Sequence, residues 1–187
     1  RGLGDVYKRQ IYVPAFYEPV YREDGTLEEM RIREGSGAPE KVRKRVVENM
    51  DGAYFPVKTI IPSTEIVHDR VMLELFRGCI RGCRFCQAGY VYRPVRSRSP
   101  ELLAQYGKAA CEDSGYQEMT LSSLSSTDYP CLLELCDDLL DYCAPRDIGL
   151  SLPSMRADTF SMNLMERLQR VRKGGLTFAP ELSLIHI

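Results

Sequence analysis

Residues 71–86 read VMLELFRGCIRGCRFC and set three cysteines directly after a short apolar run. The run Val71–Phe76 is typical of a buried strand, and two glycines beyond it let the backbone curl. In parallel α/β folds, ligands bind beyond the carboxyl ends of the strands. We therefore expect the thiols of Cys79, Cys83 and Cys86 to lie together at the functional end of a sheet.

Beyond this segment, apolar strand patterns alternate with amphipathic helix patterns. Such alternation is typical of βαβ units and predicts an α/β fold with a parallel sheet. The predicted elements are a helix from Ser99-Pro100 to Ser114, a strand over 118–124, a helix from Thr127 or Asp128 to Cys143, a strand over 147–152, a helix from Asp158 or Ser161 to about Val171, and a strand over 176–179.

Residues 11–70 read as an irregular lead-in to a domain that spans 71–181. Asp24-Gly25, between two apolar runs, predicts a β-hairpin. Residues 39–49 fit a short, highly charged helix, and residues 52–65, which contain two prolines, fit an extended connector.

Both ends of the chain look unlike natural protein sequence. Residues 1–10 read RGLGDVYKRQ and residues 182–187 read LSLIHI, and both resemble translated sequencing-adapter read-through. We expect both ends to be artefacts that flank an internal fragment, and we leave them out of the fold prediction.

Composition narrows the class of protein. The 187 residues carry a formal net charge of −1, with no visible secretory signal and no apolar run near the roughly 20 residues of a membrane helix. Seven cysteines are unevenly spaced, and none precedes Cys79, so a disulfide framework is a poor fit. We expect a cytoplasmic protein with no membrane partner, whose clustered cysteines bind metal or act in catalysis.

Three thiolates within eight residues suit one kind of metal site better than others. A closed structural zinc site uses four ligands. All-cysteine binding of a four-iron cluster also uses four thiolates, so three would leave one iron open to a ligand. Two alternatives remain: a zinc or purely structural site, and a closed electron-transfer site that recruits a fourth ligand. Candidates for the fourth ligand are Cys111, Cys131, Cys136 and Cys143, which otherwise read as small buried thiols.

The C-x3-C-x2-C pattern, with Phe85 before the third cysteine, resembles the signature of radical S-adenosylmethionine (SAM) enzymes. The resemblance implies that Cys79, Cys83 and Cys86 bind a [4Fe-4S] cluster, that SAM chelates the fourth iron, and that Phe85 contacts the adenine. It implies reductive cleavage of SAM to a 5′-deoxyadenosyl radical, with an electron donor such as flavodoxin or ferredoxin.

Further segments resemble one uncharacterised radical SAM subfamily whose members usually carry an upstream cobalamin-binding-like domain. The matching segments are 85–89, 92–96, 120–125 and 176–181. The resemblance implies an incomplete (β/α)6 partial barrel, of which about four strands are present. It also implies that methyl transfer with cobalamin is an alternative reaction, and that RNA or protein is a conceivable substrate.

Four residues outside the cysteine motif are candidates for ligand binding. Ser122 and Ser123 stand where many family members have Gly-Gly-Glu, which grips the amino group of SAM, and serine hydroxyls can accept such a hydrogen bond. Arg156 follows the third strand and suits the ligand's carboxylate. Glu181 follows the fourth strand at the same end of the predicted barrel. A basic run over 93–98 suits either a solvated loop or a nucleic acid backbone.

Overall fold

The computed structural model of the protein describes residues 11–159, 162–169, 171 and 178–179. It divides the chain into two units on either side of the bond between Val47 and Glu48. The connector 48–70, which forms no helix or strand, therefore groups with the unit that contains the cysteines. Within the described residues, no helix has both the length and the apolar character needed to cross a membrane.

The first unit contains the predicted hairpin. Strand β1 (Tyr17–Tyr21) pairs antiparallel with β2 (Leu27–Ile32). The turn is closed by Asp24, whose carboxylate accepts hydrogen bonds from the backbone N–H and the hydroxyl of Thr26 at 2.9 and 2.6 Å. Gly25, at φ +80°, takes the left-handed conformation that the turn requires.

The charged helix predicted for residues 39–49 is wrong. All of these residues are described, and none is helical. An isolated helix this short is marginal in water unless an apolar face packs against the fold. Val42 and Val46 are partly buried and Val47 is 49% exposed, so the valines of the segment do not form one buried apolar face.

The second unit is built on a parallel sheet of three strands, β3 (Val71–Glu74), β6 (Glu118–Ser122) and β7 (Gly149–Ser151), in the order β3-β6-β7. The register places Leu73 beside Leu121 and Thr120 beside Ser151. Two helices accompany the sheet, α2 (Pro100–Ser114) and α3 (Leu132–Cys143). This arrangement confirms an α/β fold and fits a partial α/β barrel; a six-stranded count stays a prediction.

Alternation along the strands gives this sheet two unlike faces. Leu73, Met119 and Leu121 are fully buried on one face. There α2 packs so closely that a methyl group added at Gly107 would lie 2.9 Å from Leu73. The opposite face begins with Met72, which is half exposed, and continues with hydroxyl-bearing and acidic side chains. The helices therefore cover the apolar face.

The predicted strand over 71–76 is interrupted at Leu75. Beyond it the chain turns away from β6 and pairs antiparallel with a segment further along. The remaining short elements are β4 (Phe76–Arg77), α1 (Gln87–Val91), β5 (Arg96–Ser97), β8 (Met155–Arg156), α4 (Met162–Gln169) and β9 (Phe178–Ala179), with β4 antiparallel to β5 and β8 parallel to β9.

The bounds predicted for α2 are confirmed. It begins with Pro100 at its first position and ends before Gly115, which adopts φ +71° and donates its N–H to the carbonyl of Cys111 at 2.9 Å. The predicted cap at Ser99 holds as a position, although its hydroxyl makes no capping hydrogen bond.

The bounds predicted for α3 were wrong at its start. Thr127 and Asp128 do not cap it, because Ser126–Asp128 forms a separate 3₁₀ turn and the helix begins at Leu132. The Asp128 carboxylate is instead bound by side chains. Asp158 likewise does not open α4, since its carboxylate binds Arg156; Ser161 lies outside the described residues.

Candidate active site

Residues 79–86, here called the cysteine loop, leave the carboxyl end of the sheet through a constriction at Gly78. Gly78 adopts φ +97°, which L side chains rarely take. A methyl group there would lie 2.7 Å from the carbonyl oxygen of Tyr92 and 2.8 Å from that of Pro94. Only glycine therefore lets the chain enter the cysteine loop along this path.

The three thiols of the cysteine loop are each partly buried, and the backbone already donates hydrogen bonds to two of them. The N–H of Arg81 donates to Cys79 Sγ and the N–H of Gly89 donates to Cys86 Sγ, both at 3.4 Å. The N–H of Cys86 also donates to the carbonyl of Cys83 at 3.0 Å. Hydrogen bonds to sulfur are among the features by which proteins tune iron–sulfur centres.

Across the described part of the chain, no three His, Cys, Asp or Glu side chains are arranged to hold a single metal ion. A four-iron cluster makes a different demand, because each thiolate binds a different iron and the sulfurs surround the cluster. Three accessible thiols on one glycine-containing loop supply that donor set. The chemistry of the cysteine loop therefore fits a cluster better than a lone ion.

An ion pair that the sequence did not reveal anchors the middle of the cysteine loop. Arg81, between the first two cysteines, donates through Nε and Nη2 to the two carboxylate oxygens of Asp128, with 2.9 Å between Nε and Oδ2. The Asp128 side chain is 7% exposed and also accepts from the hydroxyl of Ser125 at 2.7 Å. The hydrogen bonds from Arg81 hold the pKa of Asp128 below its ordinary value.

A cleft of about 390 Å³ lies beside the cysteine loop at the end of the sheet. Two predicted ligand-binding residues, Ser122 and Ser123, line it. The hydroxyl of Ser123 is within 3.0 Å of the Ser126 hydroxyl and accepts from the N–H of Ser125 at 3.2 Å. The full lining is Glu74, Phe76, Arg77, Gly78, Tyr92, Ser122, Ser123 and Leu124.

Opposite charges stand together in the wall of this cleft. Arg77 donates to the two carboxylate oxygens of Glu74 at 2.8 and 2.7 Å, and both side chains are roughly 40% exposed. Sequence reasoning missed Glu74. Its position two residues after Met72 on the polar face of β3 is the signal that could have found it.

The fold and this geometry agree with a comparison against known families. The family model described as the radical SAM superfamily matches residues 73–184, which is more than half of the chain and includes the cysteine loop and the cleft. The chain belongs to the radical SAM superfamily. Membership implies, in general, a [4Fe-4S] cluster and SAM, and it suggests that the protein is an enzyme.

A relative of this radical SAM chain occurs in the archaeon Methanocaldococcus jannaschii. It is an uncharacterised protein, 36% identical over 110 residues. The match covers 59% of the present chain but only 23% of the relative, so the chain spans less than a quarter of that protein's length.

Three further residues were predicted to bind SAM, namely Phe85, Arg156 and Glu181. Phe85 is 70% exposed. Arg156 is buried, and its guanidinium donates to the carboxylate of Asp158 at 2.9 and 2.8 Å, so it already has an acidic partner. Glu181 lies outside the described residues, and its assignment stays a prediction.

The basic run over 93–98 does not present a uniform cationic surface. Arg98 is 5% exposed, and its Nη1 donates to the carbonyl of Met50 at 2.6 Å. Arg93 and Arg96 donate to backbone carbonyls at 3.1 and 2.9 Å. These contacts favour the structural interpretation of the run over a nucleic acid interface.

The cysteines beyond the motif are mostly part of the core. Cys111, Cys136 and Cys143 are buried on α2 and α3, and burial raises their pKa to about 11, 12 and 11. These groups are therefore neutral thiols packed among apolar side chains and not ready ligands. Cys131 is partly buried at the start of α3.

Proposed function

We propose that the protein is a radical SAM enzyme in which Cys79, Cys83 and Cys86 each bind one iron of a [4Fe-4S] cluster. The observation that carries this proposal is the cysteine loop: three partly exposed thiols at the carboxyl end of the sheet, next to a cleft whose lining includes the hydroxyls of Ser122 and Ser123. When bound, the cluster would supply one electron to SAM, which is cleaved to methionine and a 5′-deoxyadenosyl radical. This chemistry belongs to the cofactors, and the chain positions them.

The chain's own groups would bind and orient SAM. The exposed ring of Phe85 offers a face for adenine. The hydroxyls of Ser122 and Ser123 would accept hydrogen bonds from the amino group at the cleft. A contact from Arg156 to the ligand's carboxylate would require the guanidinium to exchange Asp158 for the ligand.

The wider reaction follows from resemblance and is part of the proposal. An upstream cobalamin-binding-like domain would turn the chemistry towards methyl transfer. A small acidic electron carrier of the flavodoxin or ferredoxin kind would reduce the cluster. The substrate is left open between RNA and protein, and the backbone-bound arginines of the run 93–98 give little support to RNA.

Product analysis tests the proposal. The chain would be reconstituted with iron and sulfide without oxygen, reduced with dithionite and mixed with SAM, and 5′-deoxyadenosine and methionine would be measured by mass spectrometry. We expect both products from the parent chain and from the Cys131→Ala control, and neither from Cys79→Ala, Cys83→Ala or Cys86→Ala. A parent chain that carries four irons and yields no 5′-deoxyadenosine would contradict the proposal and favour a closed electron-transfer site.

A further inference from the structure

We propose that Asp128, acting through Arg81, is a positioning residue that holds the cysteine loop ready for its cluster. The inference rests on the proposed function, because it assigns the cysteine loop to cluster binding. It concerns two residues that lie 47 positions apart in the chain and that meet only in the folded domain.

The first argument is the completeness of the contact. Both nitrogens of the Arg81 fork, Nε and Nη2, donate to the carboxylate, which fixes the plane and direction of the guanidinium as well as its distance. The carboxylate also accepts from Ser125, and its side chain is almost fully buried, so it has one defined orientation. The main chain of Arg81 makes two more hydrogen bonds. Its N–H donates to Cys79 Sγ, and its carbonyl oxygen accepts from Nη2 of Arg93.

The second argument is that the turn bearing Asp128 is itself fixed. The N–H of Ser126 donates to the carbonyl of Ser154 at 3.1 Å, and Ser126 is fully buried. The N–H of Arg156 donates to the hydroxyl of Thr127 at 3.4 Å. Hydrogen bonds therefore fix the turn Ser126–Asp128 to the segment after β7. Through Asp128, the same turn fixes the position of the cysteine loop.

The third argument is entropic. An eight-residue loop that contains a glycine loses considerable backbone freedom when three of its side chains bind one cluster. A contact in the middle of the loop, between the first and second cysteines, restricts the conformations open to the empty loop. Cluster binding then costs less conformational entropy, so more of the favourable free energy of the iron–thiolate bonds remains as net binding free energy.

Two substitutions separate the effect of the Arg81–Asp128 contact from a general effect of charge. Arg81→Lys keeps the positive charge near the thiols but loses the planar fork. Asp128→Asn keeps the shape of the side chain but loses the charge. A matched control is Asp137→Asn, because Asp137 also pairs with an arginine, Arg167, but does so between α3 and α4 and away from the cysteine loop.

The test uses two readouts that do not depend on turnover. The first is the rate at which reconstituted chain releases iron to a chelator. The second is hydrogen exchange of the amides of residues 79–86 in the iron-free chain. For Asp128→Asn and Arg81→Lys we expect iron release at least threefold faster than in the parent and exchange at least threefold faster, confined to the cysteine loop. The melting temperature of the iron-free chain should fall by no more than a few degrees, and Asp137→Asn should match the parent in both readouts.

Three outcomes would contradict different parts of the account. Parental rates of release and exchange in Asp128→Asn would overturn the positioning role while leaving the cluster assignment intact. A parent chain that takes up no iron would contradict the proposed function, whereas the exchange measurement would still report whether Asp128 restrains the loop. Parental rates in Arg81→Lys alone would also overturn the inference, since they would show that a charge suffices without the fork.

Discussion

The backbone N–H of Leu75 donates to the carbonyl of Ser122 at 2.9 Å, and this bond joins the ends of β3 and β6. The carbonyl of Leu75 then accepts from the N–H of Arg98 at 3.0 Å, in a different pair of strands. Leu75 is fully buried and is thus the point at which the chain leaves the parallel sheet. Beyond this exchange of partners, Gly78, which leads into the cysteine loop, and Ser122 line the same cleft.

Replacing Gly78 by alanine should impair cluster binding. The added methyl group would meet two backbone carbonyl oxygens at under 3.0 Å, and the residue would keep a φ of +97°, which together cost about 1–3 kcal/mol or displace the cysteine loop. We expect at least a halving of iron and sulfide per chain after reconstitution. Gly82→Ala is the matched control, because its methyl group would meet only Arg93 Nη2, at 4.0 Å. Equal loading in the two variants would contradict the account of Gly78.

Alkylation should separate the cysteines into two groups. Burial raises the pKa of Cys111, Cys136 and Cys143 to about 11–12, so at pH 8 these groups are almost wholly protonated, and they are also shielded from reagent. We expect iodoacetamide to modify Cys79, Cys83 and Cys86 in the native iron-free chain at least tenfold faster, as measured by peptide mass spectrometry.

Two further conditions check that interpretation. Adding a denaturant should remove the difference between the groups, because the raised pKa values depend on burial. Reconstitution with iron and sulfide should protect the three cysteines of the loop from iodoacetamide. It should leave the modification rates of Cys111, Cys136 and Cys143 unchanged. Rapid modification of the buried group in the native chain would show that these thiols are accessible and available as ligands.

Removing the side chain of Arg98 should destabilise the second unit. Its buried guanidinium donates to the carbonyls of Met50 and Ala53 at 2.6 and 3.3 Å and attaches the connector to the unit. Hydrogen bonds from a charged donor contribute about 1.5–3 kcal/mol, and the Met50 carbonyl would keep only its bond from the N–H of Ala53 at 3.1 Å. We expect Arg98→Ala to lower the free energy of unfolding in urea by about 2 kcal/mol.

The exposed Arg146 provides a control for Arg98. It also donates to a backbone carbonyl, that of Tyr142 at 3.0 Å, but at the surface of the domain. Arg146→Ala should leave the urea midpoint nearly unchanged. Similar shifts for the two variants would indicate that burial does not set the contribution of Arg98.

Phe85→Leu should weaken SAM binding without loss of the cluster. Stacking of an aromatic ring on a base contributes about 1–3 kcal/mol, so the Kd for SAM should rise by about fivefold or more. Iron content should match the parent, because Phe85 supplies no ligand atom. Equilibrium dialysis with labelled SAM measures the change, and Tyr54→Leu, at a residue 87% exposed, is the control. An unchanged Kd in Phe85→Leu would remove Phe85 from the adenine site.

Much of the sheet and its helices could be predicted from local signals. Pro100 and Gly115 mark the ends of α2 because proline and glycine act on the backbone at their own positions. The cysteine spacing likewise identified the loop that follows the first parallel strand. Such signals are contained within a few residues, so no knowledge of distant contacts is needed.

The errors arose where a distant partner decides the role of a residue. Asp128 has the sequence context of a helix cap, but Arg81, from another part of the chain, uses its carboxylate. The charged segment 39–49 has helical spacing, but a helix this short depends on packing against the rest of the fold, which local spacing does not report. Pairing between remote segments is not visible in a single sequence.

Electron paramagnetic resonance of the reduced, reconstituted chain, recorded with and without SAM, tests the central claim most directly. The account predicts a four-iron signal whose shape changes when SAM is added, because SAM binds the iron that lacks a cysteine. A four-iron signal that is identical with and without saturating SAM would contradict the account, because it would mean that the site is closed to the ligand.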